Sequence, residues 1–145
     1  MATMLERIES MIRGEIPGPP ANRLIGFDLV KVGPGSAVFE MEAGPQHANP
    51  MGTLHGGILC DIADAAMGVA YASTLQEGES FTTLELKINF FKPVWNARLR
   101  AVAHIVKRGK TVGMVECDVL DEGESLVARA SSTCMTLSGK QAAGR

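Results

Sequence analysis

Between Ile58 and Ala72 the chain carries no proline, one interior glycine (Gly68) and only two charges, Asp61 and Asp64. Ile58, Leu59, Ile62, Ala66, Met67 and Val69 fall on every side of a helix drawn through this stretch, the pattern of a helix covered all round. The approach to it is polar and turn-rich: Asn49-Pro50, Gly52 and the Gly56-Gly57 pair let the backbone bend before the helix starts. A covered helix sets two demands. Something must pack against all its faces, and each carboxylate within it needs a reason, because an unpaired buried charge is costly.

The rest of the chain supplies strands. Residues 2–13 place Met4, Leu5, Ile8, Met11 and Ile12 on one face of a short amphipathic helix, ended by Gly14 and the PGPP run at 17–20. Alternation predicts a strand at about 23–32, through Ile25, Phe27 and Leu29. After the turn GPGS, a second strand sets Ala37, Phe39, Met41 and Ala43 against Val38, Glu40 and Glu42. Beyond the central helix, TTLELKINFFKP alternates Leu84, Leu86, Ile88 and Phe90 with Glu85, Lys87, Asn89 and Phe91, as a half-buried strand does. Runs at 98–107, 111–120 and 125–137 complete about six strands, and SGKQAAGR ends the chain as a frayed tail. Sequential hairpins imply a largely antiparallel sheet. One curved sheet covers only part of an all-apolar helix, so the remainder of the cover is expected from a second copy, as a homodimer or larger assembly.

Composition excludes several classes. The 145 residues, 46% hydrophobic and 21% charged, suit a single folded domain with a real core. A formal net charge of −2 gives no electrostatic case for nucleic acid. Cys60, Cys117 and Cys134 are odd in number and stand at no metal-ligand spacing, which suits reduced core thiols in a cytoplasmic setting. The opening residues are charged throughout, with no apolar signal segment, and no run approaches the ~18 apolar residues of a membrane span.

The chemistry concentrates at the helix. Asp61 and Asp64 stand at i and i+3, so spacing alone does not choose between them. Asp61 lies near the helix start, where the macrodipole favours an anion, or on a solvated stripe; Asp64 is too deep for capping to explain. His55-Gly56-Gly57 is either an ordinary turn or a set of backbone N–H groups aimed at an oxyanion. From Gly56 to Asp64 is roughly 12 Å along a helix, too far for both to act on one small reacting group. If both are used, Gly56 of one subunit must meet Asp64 of another across antiparallel helices. Nucleophile elbows, phosphate loops, dinucleotide fingerprints and the HExxH zinc motif are absent. The histidines offer no metal spacing with the cysteines. A carboxylate with backbone donors suits hydrolysis of an already activated acyl group.

Asn49, Gly52-Thr53-Leu54-His55-Gly56-Gly57 and Ile62-Ala63-Asp64 resemble the N-x-x-G-x-x-H-G-G…L-A-D signature of hotdog-fold acyl-CoA thioesterases. The resemblance is to the PaaI-like branch of the 4-hydroxybenzoyl-CoA thioesterase superfamily. Thr83 to Phe90 with Pro93, and Leu126 to Ala130, resemble the family's later strands, so the likeness runs from about residue 23 to 137. Residues 1–20 form an added helix and linker. The chain departs at Asn96-Ala97-Arg98, where the family usually shows a Gly-Asp pair.

The resemblance implies an α+β hotdog fold: an antiparallel sheet wrapped around the long helix, dimerised with shared sites, often as a dimer of dimers. It implies that Gly56 N–H polarises a thioester carbonyl and that Asp64 of the facing subunit acts as general base or nucleophile. Asn49 positions water or thioester, His55 supports the loop, and Thr83 holds the attacking water. Gly57, Leu59, Met67 and Phe90 are expected to contact substrate. Lys92, Lys107, Arg108 and Lys110 either pair with the phosphates of coenzyme A or are solvated turn charges. No metal and no cofactor is expected beyond the coenzyme A of the substrate. The acyl group is left open between small aryl and medium-chain acids. A non-catalytic acyl-CoA binder of the same fold is the alternative, and a hotdog dehydratase fits the histidine arrangement poorly.

Overall fold

The structure, a computed structural model, describes residues 1–145. Six strands form one sheet in the order β1-β2-β4-β5-β6-β3, and every neighbouring pair is antiparallel. They are β1 (Phe27–Gly33), β2 (Ser36–Ala43), β3 (Ser80–Phe90), β4 (Ala97–Arg108), β5 (Val112–Leu120) and β6 (Leu126–Leu137). Helices α1 (Met4–Ile12), α2 (Pro20–Ile25) and α3 (Gly56–Ala72) complete the chain. Strand alternation decides which face is inside. Ala37, Phe39, Met41 and Ala43 of β2 are buried, as are Leu99, Ala101 and Ala103 of β4, and Val115, Cys117 and Val119 of β5. The small residues among them make room for α3, which lies across β2, β4 and β5.

α3 buries one face only. Ile62, Ala63, Ala66, Met67, Ala70 and Tyr71 lie fully buried against the sheet, whereas Gly57, Asp61 and Asp64 are exposed on the opposite side. As expected of a single curved sheet, one chain covers only part of α3: the sheet side is buried, and the stripe through Ala65, Gly68, Val69 and Ala72 is half-buried. At its C-terminal end the helix is tied to the β1–β2 turn through Ser73. That hydroxyl donates to the Ala70 carbonyl (2.7 Å) and accepts from the Gly35 N–H (2.8 Å).

Three expectations need correction. The first strand begins at Phe27, not residue 23. Pro20 sits in the first turn of α2, where a missing N–H costs nothing, and Gly26 ends that helix in the left-handed region (φ 95°). Strand β3 alternates as expected, but it is an edge strand with a register shift between Thr83 and Glu85. Leu84 and Phe90 are consequently 56% and 53% exposed. The C-terminal segment makes a 3-10 turn over Gly139–Gln141 before the chain ends. Cys60, Cys117 and Cys134 are free thiols, and burial pushes Cys117 up to about 12. No helix is long and apolar enough to cross a membrane.

Candidate active site

The site is built around the start of α3. In the preceding loop, buried His47 accepts from the Gly44 N–H through Nδ1 (3.2 Å) and reaches the Ile25 carbonyl through Nε2 (2.7 Å). Its own carbonyl accepts from the His55 N–H at 2.8 Å. Asn49 shapes the next turn: Oδ1 accepts from the N–H groups of Met51 (2.9 Å) and Thr53 (3.1 Å), and Nδ2 donates to Thr53 Oγ1 (2.8 Å). His55 then caps the helix, its Nδ1 accepting from the Gly57 N–H at 3.0 Å. The Ile58 N–H is used by the His55 carbonyl (3.0 Å). Of the first three helical donors, that leaves the Gly56 N–H without a partner in the chain. A Cβ at residue 56 would lie 2.9 Å from Phe90 Cζ, so a larger residue there displaces that exposed ring.

A cleft of about 430 Å³ opens at this point, and Asn49, Gly56, Leu59, Phe90 and Lys92 all line it. Asp64 does not. It lies two turns further along α3, on the wall of a separate groove of about 640 Å³ that runs under α1. Although Asp64 is exposed at the surface of the chain, partial desolvation of its carboxyl against the groove wall, and secondarily the negative charge of Asp61, hold that carboxyl above the usual aspartate range. Its charge also acts on Cys134, whose thiol burial pushes up. Cys134 pairs across the sheet with Thr83, whose Oγ1 lies 3.8 Å from the Cys134 sulfur. Gly56 and Phe90 thus share one opening, and Asp64 lines the other.

The remaining expected contacts are less uniform. Met67 is fully buried beneath α3 and lines neither opening. Arg108 is engaged within the fold: its guanidinium lies 4.7 Å from the Tyr71 ring centroid, donates to Thr74 Oγ1 (3.0 Å) and approaches Glu79 (4.0 Å). Lys92 borders the cleft but pairs with Asp121 at 2.6 Å. Lys107 and Lys110 are exposed and line neither opening. Two contributions were missed from the sequence. One is His47, a buried anchor that no local pattern separates from a turn histidine. The other is α1, whose amphipathic stripe was legible although its place beside Asp64 was not.

The six-stranded antiparallel sheet around one long helix is the hotdog fold of thioester hydrolases. Residues 51–128 match the Thioesterase superfamily, and the chain belongs to it. Human acyl-coenzyme A thioesterase 13 is 26% identical over 136 residues, spanning 92% of this chain and 96% of the human protein. Among solved structures, a phenylacetic acid degradation-related protein of Ralstonia eutropha is 32% identical with a TM-score of 0.80, covering 88% of this chain and 98% of that one. The phenylacetic acid degradation protein PaaI of Thermus thermophilus is 27% identical with a TM-score of 0.76, covering 81% and 98%.

Proposed function

We propose that this enzyme hydrolyses acyl-CoA thioesters carrying a small aryl or medium-chain acyl group, at sites shared between two subunits. One observation carries the reading. The free Gly56 N–H and the Asp64 carboxyl stand on one helix but open into separate cavities, so neither half-site is complete within a chain. In an antiparallel pair of helices, Gly56 of one subunit meets the partner subunit's Asp64, and the dimer holds two equivalent sites. Pairing of such dimers into a tetramer is compatible with the same arrangement.

In the reaction the Gly56 N–H donates to the thioester carbonyl oxygen and strengthens that bond as charge develops there. Asp64 takes a proton from a water held by Thr83, and the water oxygen attacks the carbonyl carbon. Direct attack by the carboxylate, followed by hydrolysis of the anhydride, is the other route. Either way the C–S bond breaks, the sulfur takes up a proton, and the acid and coenzyme A leave without a further cofactor. His55 holds the Gly57 amide and the helix start in place, and Asn49 acts through the loop it shapes. Gly57, Leu59 and Phe90 border the thioester end. Lys92 is the basic residue best placed toward the coenzyme A arm.

Complementation of two dead variants tests the shared site. Asp64→Ala removes the base. Gly56→Pro removes the donor at the first helical position, where proline is tolerated, and His55 already has the extended backbone (ψ 131°) that a following proline prefers. Exposed Phe90 has room to swing from the ring. Each variant alone should lose about 10²-fold or more in kcat. Co-refolded in equal amounts, half the dimers are mixed and each holds one intact site, which returns about a quarter of wild-type activity. Mixed dimers that form and recover nothing would refute the shared site.

A further inference from the structure

The turn between β5 and β6 grips the chain that leaves β3. Three of its acids reach across. Lys92 Nζ donates to Asp121 Oδ2 (2.6 Å), the Arg98 N–H donates to Glu122 (2.7 Å), and the Arg100 guanidinium donates to Glu124 (3.3 Å). Asp121 is itself fixed, because its Oδ1 accepts from the N–H groups of Gly123 (3.0 Å) and Ser125 (2.9 Å). Its side chain is 15% exposed, against 41% for that of Lys92. Of the three grips, only this one engages a residue that borders the Gly56 cleft, and Lys92 is the only charged residue in the lining of that cleft. The one cation at the cleft is thus already neutralised by an acid of the same chain.

We propose that Asp121 tunes the affinity for coenzyme A: it holds Lys92 in an ion pair that the nucleotide phosphates must displace, and so eases departure of the product. The inference rests on the thioesterase reading, with Lys92 toward the coenzyme A arm, and adds a residue that acts through that lysine. Chemistry supplies the reason. Hydrolysis changes only the acyl end, so the phosphates of acyl-CoA and of released coenzyme A are identical. A contact to them stabilises bound substrate, transition state and product alike, which lowers KM and leaves the chemical barrier unchanged. Product held as tightly as substrate then delays the next turnover. An unopposed ammonium at the cleft would make such a contact at full strength. With an acid 2.6 Å away, each phosphate contact has to break an existing pair. This role is separable from holding the fold. The segment past β3 is fixed without Asp121: the Val94 carbonyl accepts from the Leu54 N–H (2.7 Å), the Phe91 N–H donates to the Val127 carbonyl (2.8 Å), and Glu122 and Glu124 keep their contacts. Asp121→Asn retains Oδ1 for the turn and removes only the charge.

The test is the Kd of coenzyme A for the full chain by titration calorimetry, with pantetheine, which lacks the phosphates, beside it. Asp121→Asn should tighten coenzyme A by about two- to fivefold, the range of an exposed ion pair, and leave pantetheine unchanged. A residue that only supported the fold would loosen coenzyme A when replaced, not tighten it. Lys92→Met should weaken coenzyme A by a similar factor or more, and in the double variant the gain from Asp121→Asn should vanish. High salt should shrink the gain as well. A coenzyme A affinity unchanged or reduced in Asp121→Asn, or a gain that survives in the Lys92→Met background, overturns the inference. Turnover separates it from the reading beneath it. Wild type that hydrolyses acyl-CoA esters while Asp121→Asn gains no affinity defeats the inference alone. The stated affinities without hydrolysis of any acyl-CoA defeat the thioesterase reading alone.

Discussion

Two aspartates one turn apart on α3 differ in what surrounds them, and that difference bears on the base proposed at Asp64. Partial burial disfavours its charged form, and the neighbouring Asp61 adds like-charge repulsion, so its carboxyl titrates above the ordinary aspartate range. A base must be ionised to act, so kcat/KM should fall as pH drops through that raised value. Removing the smaller cause moves the fall in a definite direction: Asp61→Asn should shift the acid limb of the kcat/KM profile to lower pH. A pH–rate series on wild type and variant reads this directly, and an acid limb that moves upward or stays in place would count against Asp64 as the titrating base. Which of the two aspartates lies beside the groove could not be read from the sequence, because an i, i+3 pair shares a flank and burial is set by elements far away in the chain.

At the scale of elements, the sheet and α3 fit because several inward positions are small. Gly113 of β5 is the tightest of them: a Cβ there would lie 2.7 Å from Tyr71 Cε2 and 3.0 Å from the Lys107 carbonyl oxygen. Tyr71 cannot retreat easily, being held through its hydroxyl to Thr136 (2.7 Å) and lying beneath the Arg108 guanidinium. Gly113→Ala should therefore destabilise the fold by about 1–3 kcal/mol, measured by urea unfolding, with the larger loss expected if Tyr71 has to break its bond. The strands were legible because each alternates with period two, and β2 buries the four residues that its pattern selects. The failures have physical causes. Residues 23–25 read as the start of a strand but fall within α2, whose start signal Pro20 lay in what looked like linker and whose stop signal Gly26 lay inside the expected strand. Met67 was expected at a pocket because a helix apolar on all sides does not reveal which face meets the sheet. Arg108 is occupied by partners on α3 and its trailing loop that no spacing near residue 108 announces.

The whole molecule leaves two surfaces unfinished. The outer face of α3 shows its carboxylates and small residues, and β3, bonded only to β6, presents a free edge flanked by exposed Leu84 and Phe90. An unpaired edge with apolar neighbours is suited to meeting another chain. A charge introduced there should oppose assembly, so Leu84→Lys should shift the protein toward monomer in sedimentation velocity and lower specific activity in proportion. A monomer turning over at the wild-type rate would separate catalysis from assembly and end the shared-site account. The sequence raised the expectation of a second copy; the free edge of β3 was not legible there, since β3 reads as a half-buried strand like its neighbours.

One imidazole links the two halves of this architecture. His47 grips the carbonyl at the end of α2 with one nitrogen, the Gly44 amide with the other, and the backbone entering α3 through its own carbonyl. The end of α2 is thereby tied to the loop that leads into α3. The leading segment is therefore fastened at two places, by Ile8 of α1 in the apolar interior and by this imidazole at the end of α2, and His47→Ala should loosen the second without the first.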